Sequence, residues 1–355
     1  MNTILSLDTY PITVGSDWSV FRQWLRGQQY AKVAVLVDTN TRTHCLPYFL
    51  EQTQLTPDLL IEVPAGELHK NITTGQQIWK ALLDGRADRR SLLINLGGGV
   101  VTDMGGFCAA TYKRGIDFVQ VPTTLLSQVD ASIGGKLGID FGAVKNSVGV
   151  FQNPQQVCID PAFLRTLSER ELRSGLAEIY KHALIQDAGQ WKRLTGLTDF
   201  TPASLTPYLI ESLEIKRRIV TEDPFERGVR KALNFGHTVG HAVESYALDS
   251  DAPLLHGEAI AVGMIAEAYL SHRQTGLPRA ALEAITATLL RTYGNYSLPE
   301  GVDETLIELM RNDKKNEGAA INFTLLAGIG EARINRTADP EQITAALTYY
   351  RRAVG

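Results

Sequence analysis

Ser91-Leu92-Leu93-Ile94-Asn95-Leu96-Gly97-Gly98-Gly99-Val100-Val101-Thr102-Asp103-Met104-Gly105-Gly106-Phe107-Cys108-Ala109-Ala110-Thr111 is the stretch that decides the fold. An apolar run of strand length meets a glycine turn, and a small-residue segment follows that can form a helix lying close against a sheet. Glycines in such a turn let backbone N–H groups approach a diphosphate at the helix N-terminus, where the helix dipole favours negative charge. The spacing is not GxGxxG, so the same turn also reads as a tight strand-to-helix connection without a ligand.

Outward from this stretch the first half repeats the pattern. Lys32 to Val37, Leu59 to Val63 and Phe118 to Val121 are further runs of nearly continuous Val, Ile and Leu. Such runs predict strands covered on both faces, hence a mostly parallel sheet. Asp38-Thr39-Asn40 ends the first of them, at the carboxyl edge where open sheets bind nucleotides. Asp38 therefore reads either as an acceptor for ribose hydroxyls or as a helix N-cap. From about Glu169 the pattern turns to helical spacing, over Glu171 to Ile185, Leu209 to Ile219, Gly257 to Tyr269 and Ala280 to Leu290. One late strand, Ile321 to Leu326, interrupts it, and Asp339 to Arg351 closes as an amphipathic helix. The expected class is α/β, with a Rossmann-like N-terminal domain over 1–160 and a mainly α-helical C-terminal domain over 161–355, packed around a shared cleft.

Composition excludes several classes. The 355 residues are 44% hydrophobic and 21% charged, which describes a globular chain. A formal net charge of −4, with lysines and arginines scattered singly, argues against nucleic acid as a partner. No apolar run reaches the ~18 residues of a membrane span, and the first residues lack a basic, then apolar, leader pattern, so a cytoplasmic location is expected. Cys45, Cys108 and Cys158 are odd in number and widely spaced, which predicts free buried thiols.

The second half holds a different chemistry. His237 and His241 stand four apart in a helical segment, His256 heads another helix, and Glu178 lies on a third. Two histidines at that spacing can point one way, although the segment is not HExxH and lacks that motif's glutamate base. A His, His and carboxylate set suits a catalytic zinc with open coordination positions. Arg114, Lys136 and Lys145 fall among Gly115, Gly134-Gly135, Gly138 and Gly142, and clustered cations beside flexible backbone suit a small phosphate or carboxylate ligand. Solvated loop lysines are the plain alternative.

The glycine run from Gly97 to Gly115, FVQVPTTLLSQVDASIGGK, VKNSVG, SGLAEIYKHALI, RKALNFGHTVGHAVE, HGEAIAVGM and DKKNEG, in order between about residues 30 and 330, closely resemble the 3-dehydroquinate synthase family of sugar-phosphate cyclases. The resemblance implies bound NAD, one divalent metal (zinc, with cobalt possible) and a homodimer. The implied substrate is the anionic sugar phosphate 3-deoxy-D-arabino-heptulosonate 7-phosphate, converted to 3-dehydroquinate and phosphate.

By family pattern the metal ligands fall on Glu178, His237 and His256, which moves His241 to the substrate. Cofactor contacts fall on Asp38, Asn40, Glu67, Lys70, Gly98, Gly99, Val100, Asp103, Thr123, Thr124, Lys136, Lys145, Phe163, Thr166, Leu167 and Glu171. Substrate or catalytic positions fall on Asp130, Lys136, Lys145, Asn146, Lys181, Lys216, Arg230, Asn234, His241 and Lys314, with Arg114 crossing to the neighbouring subunit's site. Lys315 stands next to Lys314, so that last assignment can slip by one.

The implied chemistry is transient oxidation by NAD with metal assistance, β-elimination of phosphate, return of the hydride, ring opening and aldol closure, with no net redox. No side chain is assigned as the base, a role open to the leaving phosphate. The family usually carries threonine where this chain has Leu137, and leucine cannot hydrogen-bond there. The competing readings are a cyclase acting on a neutral sugar phosphate to give an inosose or valiolone, a metal-dependent polyol dehydrogenase that would release NADH, and an inactive scaffold. Arg230, Asn234 and His241 argue against the first, and the number of cations against the second.

Overall fold

The computed structural model describes residues 2–7, 9–142, 144–248, 250, 253–311 and 320–355, with the side chain of 144 excepted. It divides into two compact units, Met1–Ser168 and Glu169–Gly355. The expected boundary at 160 falls eight residues early. The turn Pro161–Thr166 belongs to the first unit because Phe163, buried, packs its ring edge-on against Trp18 and Tyr48.

The first unit contains β1 (Thr3–Ser6), β2 (Pro11–Val14), α1 (Ser19–Gly27), β3 (Val33–Asp38), α2 (Thr39–His44), α3 (Leu46–Thr53), β4 (Leu59–Val63), α4 (Ile72–Asp84), β5 (Leu92–Gly97), α5 (Gly99–Thr111), β6 (Asp117–Pro122), β7 (Lys136–Phe141), β8 (Val144–Phe151) and β9 (Gln156–Ile159). Seven strands form one sheet in the order β1-β2-β9-β6-β5-β3-β4. All neighbours are parallel except the antiparallel β1–β2 pair. This is the Rossmann-like core.

Alternation along the strands builds two apolar layers. Ala34, Leu36 and Leu93 join one cluster with Val101, Met104 and Phe107 of α5, while Val35, Val37, Leu92, Ile94 and Leu96 join another with Trp18, Phe21 and Phe49. From β3 the chain steps outward to β4 and then returns to β5 on the other side of β3. The strand order therefore reverses between β3 and β5, and the carboxyl ends of those two strands flank the crevice where open α/β sheets take ligands. Asp38 ends one and Gly97 the other.

The second unit contains α6 (Glu169–Gln186), α7 (Ala188–Leu194), α8 (Pro202–Glu222), α9 (His237–Ala247), α10 (His256–Gln274), α11 (Arg279–Tyr293), α12 (Asp303–Arg311), the hairpin β10 (Asn322–Gly328) and β11 (Glu331–Thr337), and α13 (Pro340–Val354). Helices α9 and α10 cross in close contact. A Cβ on Gly263 would stand 2.0 Å from the carbonyl oxygen of Gly236, and one on Gly236 would meet Met264 Cγ at 2.4 Å. Gly236 also has φ +81°, a conformation that side chains rarely adopt, so glycine is required there twice over. No described helix is long and apolar enough to cross a membrane.

Candidate active site

In the first unit Gly98 is the N-cap of α5 and no side chain occupies that cap. The first N–H groups of the helix therefore face outward from a bare glycine turn. A Cβ on Gly98 would come 3.0 Å from Thr124 Cγ2, and Thr123 donates its backbone N–H to Gly97 O at 3.0 Å, so the loop after β6 closes over the same turn. Asp38 does serve as an N-cap: Oδ1 accepts the backbone N–H of Thr41 at 2.7 Å and its hydroxyl at 3.0 Å. Asn40 is exposed on the first turn of α2. Phe163 is buried, Leu167 half-buried, and Thr166 is exposed with its hydroxyl donated to Phe163 O at 2.9 Å. Val100 and Gly99 open α5.

A charged cluster forms where the β7–β8 hairpin meets the turn Glu67–His69. Lys70, 4% exposed, donates from Nζ to Asp103 Oδ2 at 2.7 Å and to Asn146 Oδ1 at 2.6 Å. Lys145 Nζ lies 3.4 Å from Glu67 Oε1. Burial works against the charge on Lys70, but Asp103 and Glu67 outweigh it and hold the ammonium above its usual range. Asp140, which the sequence did not single out, binds the hairpin into the cluster. Its Oδ1 accepts the Asn146 N–H at 2.7 Å, its own N–H donates to Lys70 O at 2.8 Å, and burial raises its carboxyl. Asn146 has φ +49°, a left-handed conformation that asparagine tolerates.

Lys136 opens β7 and is half-buried, and Asp130 lies in the π turn Ser127–Ala131. Arg114 is exposed at the end of the turn after α5, with φ +69°. Leu137 points into the core, 6% exposed, and a Cβ on Gly106 would meet its Cδ2 at 2.4 Å. The position where the family usually has threonine thus packs apolar surface and does not face the charged cluster.

In the second unit α6, α9 and α10 bring Glu178, His237 and His256 together. Glu178 and Lys181 are one helical turn apart and fully buried, and Lys181 Nζ donates to Glu178 Oε2. The other oxygen, Oε1, accepts no hydrogen bond, although Nε2 of His237 and Nε2 of His256 each stand 3.4 Å away. Ligand atoms held ~2.0–2.1 Å from one tetrahedral ion lie about 3.3–3.4 Å apart. The two distances from the buried carboxylate oxygen to the imidazole nitrogens match edges of such a site, and all three atoms lie within 4.8 Å of one another. His241 adds a third ring, its centroid 5.1 Å from that of His237 and 5.9 Å from that of His256.

Electrostatics matches the geometry. Burial alone would raise the Glu178 carboxyl, but Lys181 and His237 outweigh it and hold it well below the usual carboxylate range. Burial disfavours a charge on His256, yet the carboxylates of Glu244 and Glu178 beside it push its imidazole up to about 10.

The other substrate candidates surround these helices. Lys216 is buried on α8, and Arg230 (2% exposed) and Asn234 lie in the turn Val229–Asn234, which packs against α6 and α8. Asp223 holds that turn by accepting the N–H groups of Arg227, Gly228 and Arg230 at 3.0, 2.7 and 3.0 Å, and Asn234 Nδ2 donates to Glu226 Oε1 at 2.7 Å. Glu267, fully buried on α10, accepts the N–H groups of Gly236, Thr238 and Val239, which fixes the start of α9. Asp223, Glu244 and Glu267 escaped the sequence reading because they act on backbone or on another side chain, and no motif marks such roles. Glu171 is half-buried in the first turn of α6, where burial raises its carboxyl. Lys314 and Lys315 lie outside the described residues.

Comparison with known proteins identifies the family of the chain. Residues 60–174 match the family model for the 3-dehydroquinate synthase N-terminal region, and residues 175–316 match that for its C-terminal region. The 3-dehydroquinate synthase of Parabacteroides distasonis is 44% identical over 341 residues, covering 95% of this chain and 96% of that one. Among solved structures, 2-epi-5-epi-valiolone synthase from Streptomyces hygroscopicus, with NAD+ and Zn2+ bound, superposes with a TM-score of 0.83 at 27% identity over 99% of both chains. A 2-deoxy-scyllo-inosose synthase complexed with carbaglucose-6-phosphate, NAD+ and Co2+ gives 0.85 at 22% identity, covering 98% of this chain and 99% of that one. With both halves matched in order and a relative this similar along nearly its whole length, the chain belongs to the 3-dehydroquinate synthase family.

Proposed function

We propose that this protein is a carbon–oxygen lyase that converts 3-deoxy-D-arabino-heptulosonate 7-phosphate to 3-dehydroquinate and inorganic phosphate, working as a cytoplasmic homodimer. The observation that carries the reading is the buried Glu178 Oε1, which accepts no hydrogen bond and faces two imidazole Nε2 atoms at 3.4 Å each. A structural relative at 27% identity holds NAD+ and Zn2+, which supports the same pair of groups here. When bound, NAD supplies a reversible hydride acceptor and the divalent metal a Lewis acid.

The residues of the chain divide the remaining work. In this reading Glu178 Oε1 with Nε2 of His237 and of His256 holds the ion, while Lys181 Nζ keeps Glu178 ionised by occupying Oε2. The bare N-terminus of α5 at Gly98, Gly99 and Val100 takes the NAD diphosphate. Asp38 Oδ2, on the side of the carboxylate away from its cap, accepts ribose hydroxyls with Asn40, and Glu67, Lys70, Asp103, Thr123, Thr124, Phe163, Thr166, Leu167 and Glu171 complete the cofactor surface.

Lys136, Lys145 and Asn146 of the first unit and Lys216, Arg230 and Lys314 of the second bind the substrate's carboxylate and phosphate, a role that suits side chains able to donate charged or neutral hydrogen bonds to anions. Asp130, Asn234 and His241 orient the substrate's hydroxyls, and Arg114 reaches the partner subunit's site. Product analysis by NMR tests the substrate assignment. Turnover of the carboxylate-bearing heptulosonate phosphate, with none of a neutral sugar phosphate, is expected, and the reverse preference would move the protein to the other cyclases.

A further inference from the structure

With Nε2 of His237 and of His256 turned toward Glu178 Oε1, the other nitrogen of each ring is left for a different partner. Those nitrogens have unlike partners. Nδ1 of His237 faces the backbone carbonyl oxygen of Phe235 at 3.1 Å, a neutral acceptor two residues back in the chain. Nδ1 of His256 faces Oε2 of Glu244 at 3.4 Å, a carboxylate brought from another helix. Glu244 is only 6% exposed. It follows His237 and His241 along α9 at spacings of four and three, so the three share one helix face.

A neutral imidazole carries one proton, and the nitrogen without it is the metal ligand. An acceptor at Nδ1 keeps the proton there, turns the Nε2 lone pair toward the ion, fixes the ring plane and raises the basicity of the ligand. A carboxylate does this more strongly than a carbonyl because it bears a full charge. Charge within the site points the same way. The carboxylate of Glu178 is already paired with Lys181, so that pair alone offers a divalent cation little net negative charge. Glu244 adds a second carboxylate at one remove.

We propose that Glu244 is a positioning residue of the metal centre: it holds His256 as the Nδ1–H tautomer, aims Nε2 toward Glu178 Oε1, and thereby sets how tightly the divalent ion is held. This rests on the reading of Glu178, His237 and His256 as the ligand set. The test uses the full-length protein stripped of metal and titrated with zinc against a chromogenic chelator. Glu244→Gln keeps the side-chain shape and removes the charge. After correction for proton competition, from titrations of both proteins across pH, it is expected to bind zinc about 10- to 100-fold more weakly than wild type, with its circular dichroism unchanged.

A Glu244→Gln protein that holds zinc as tightly as wild type would overturn the proposal while leaving the ligand set standing, whereas a wild-type protein that binds no zinc would sink the ligand set itself. A second measurement serves if the variant does not fold. In nitrogen-15 spectra of zinc-loaded wild type labelled at histidine, the proton of His256 is expected on Nδ1, and a proton on Nε2 would refute the assignment.

Discussion

Lys181 Nζ donates to Glu178 Oε2 from one turn further along α6, and the two side chains are 1% and 0% exposed. One oxygen of a buried carboxylate is thus satisfied by a charge of the same helix, and the other is left facing two histidines. Removing one partner of a fully buried pair leaves an uncompensated charge, which typically costs about 3–5 kcal/mol. Lys181→Met is accordingly expected to lower the unfolding free energy of the zinc-free protein by about that amount in chemical denaturation. Saturating zinc should restore part of the loss, because the ion then compensates Glu178.

Zinc binding should depend on pH in a definite direction. His256, with its ordinary value of 6.5 raised to about 10, contributes stability to the zinc-free protein that is fully present below 6.5 and is lost as pH rises through about 10. Across that window zinc must displace a proton from the ring. Apparent zinc affinity is therefore expected to rise with pH, about tenfold per unit for one proton released. Titrations at pH 6, 7 and 8 check it, and a flat profile would contradict a protonated His256. His256→Ala should lose zinc while its circular dichroism is retained.

Leu137→Thr restores the residue usual in the family. Because Leu137 packs in the core against Gly106, the change buries a hydroxyl and removes apolar volume there. A loss of about 1–3 kcal/mol in unfolding free energy is expected, with no gain in turnover. A rise in kcat together with unchanged stability would show that position 137 faces substrate after all.

Asp223→Ala removes the acceptor for three backbone N–H groups, those of Arg227 and Gly228 just before the turn Val229–Asn234 and that of Arg230 within it. Burial opposes the charge on Asp223, but those bonds prevail and lower its carboxyl below the ordinary 3.8. Its contribution is present above that value and is lost as pH falls through the lower folded value. The carboxylate is half-buried at the surface, so only about 1 kcal/mol is expected from the substitution in unfolding measurements near neutrality. The clearer signature is KM, which should rise several-fold with kcat less affected, as Arg230 loses its fixed place.

Cys45, Cys108 and Cys158 are all buried and unpaired. Burial pushes the Cys45 thiol up to about 11. At pH 8 about 0.1% of it is thiolate, roughly 200-fold less than for a free cysteine. Alkylation of Cys45 in the folded protein should be correspondingly slow and should quicken about tenfold per pH unit.

Legibility followed the physics of each element. Strands β3, β4, β5 and β6 declared themselves because a parallel strand covered on both faces must be apolar throughout. Strands β7 and β8 did not, since they carry Lys136, Asp140, Lys145 and Asn146, residues that read as loop until the hairpin pairs them. Strands β2 and β9 are four residues each, too short for periodicity to register. In the helical half the spacing of His237 and His241 gave two rings on one face without choosing between them as ligands. In the fold His237 Nε2 faces Glu178 Oε1, while His241 falls in a group with Glu244 and His256. Glu244 and Glu267 were invisible for another reason, because their partners are supplied by tertiary contact between α9 and α10.

In the proposed reaction the nicotinamide is catalytic and not consumed, and a divalent metal is required. Phosphate release from 3-deoxy-D-arabino-heptulosonate 7-phosphate, with catalytic NAD and zinc and with NADH absorbance followed in the same cuvette, tests it most directly. Phosphate released without lasting NADH, abolished by a chelator and restored by zinc, is the predicted result. Lasting NADH with no phosphate would contradict the account and make the protein a polyol dehydrogenase.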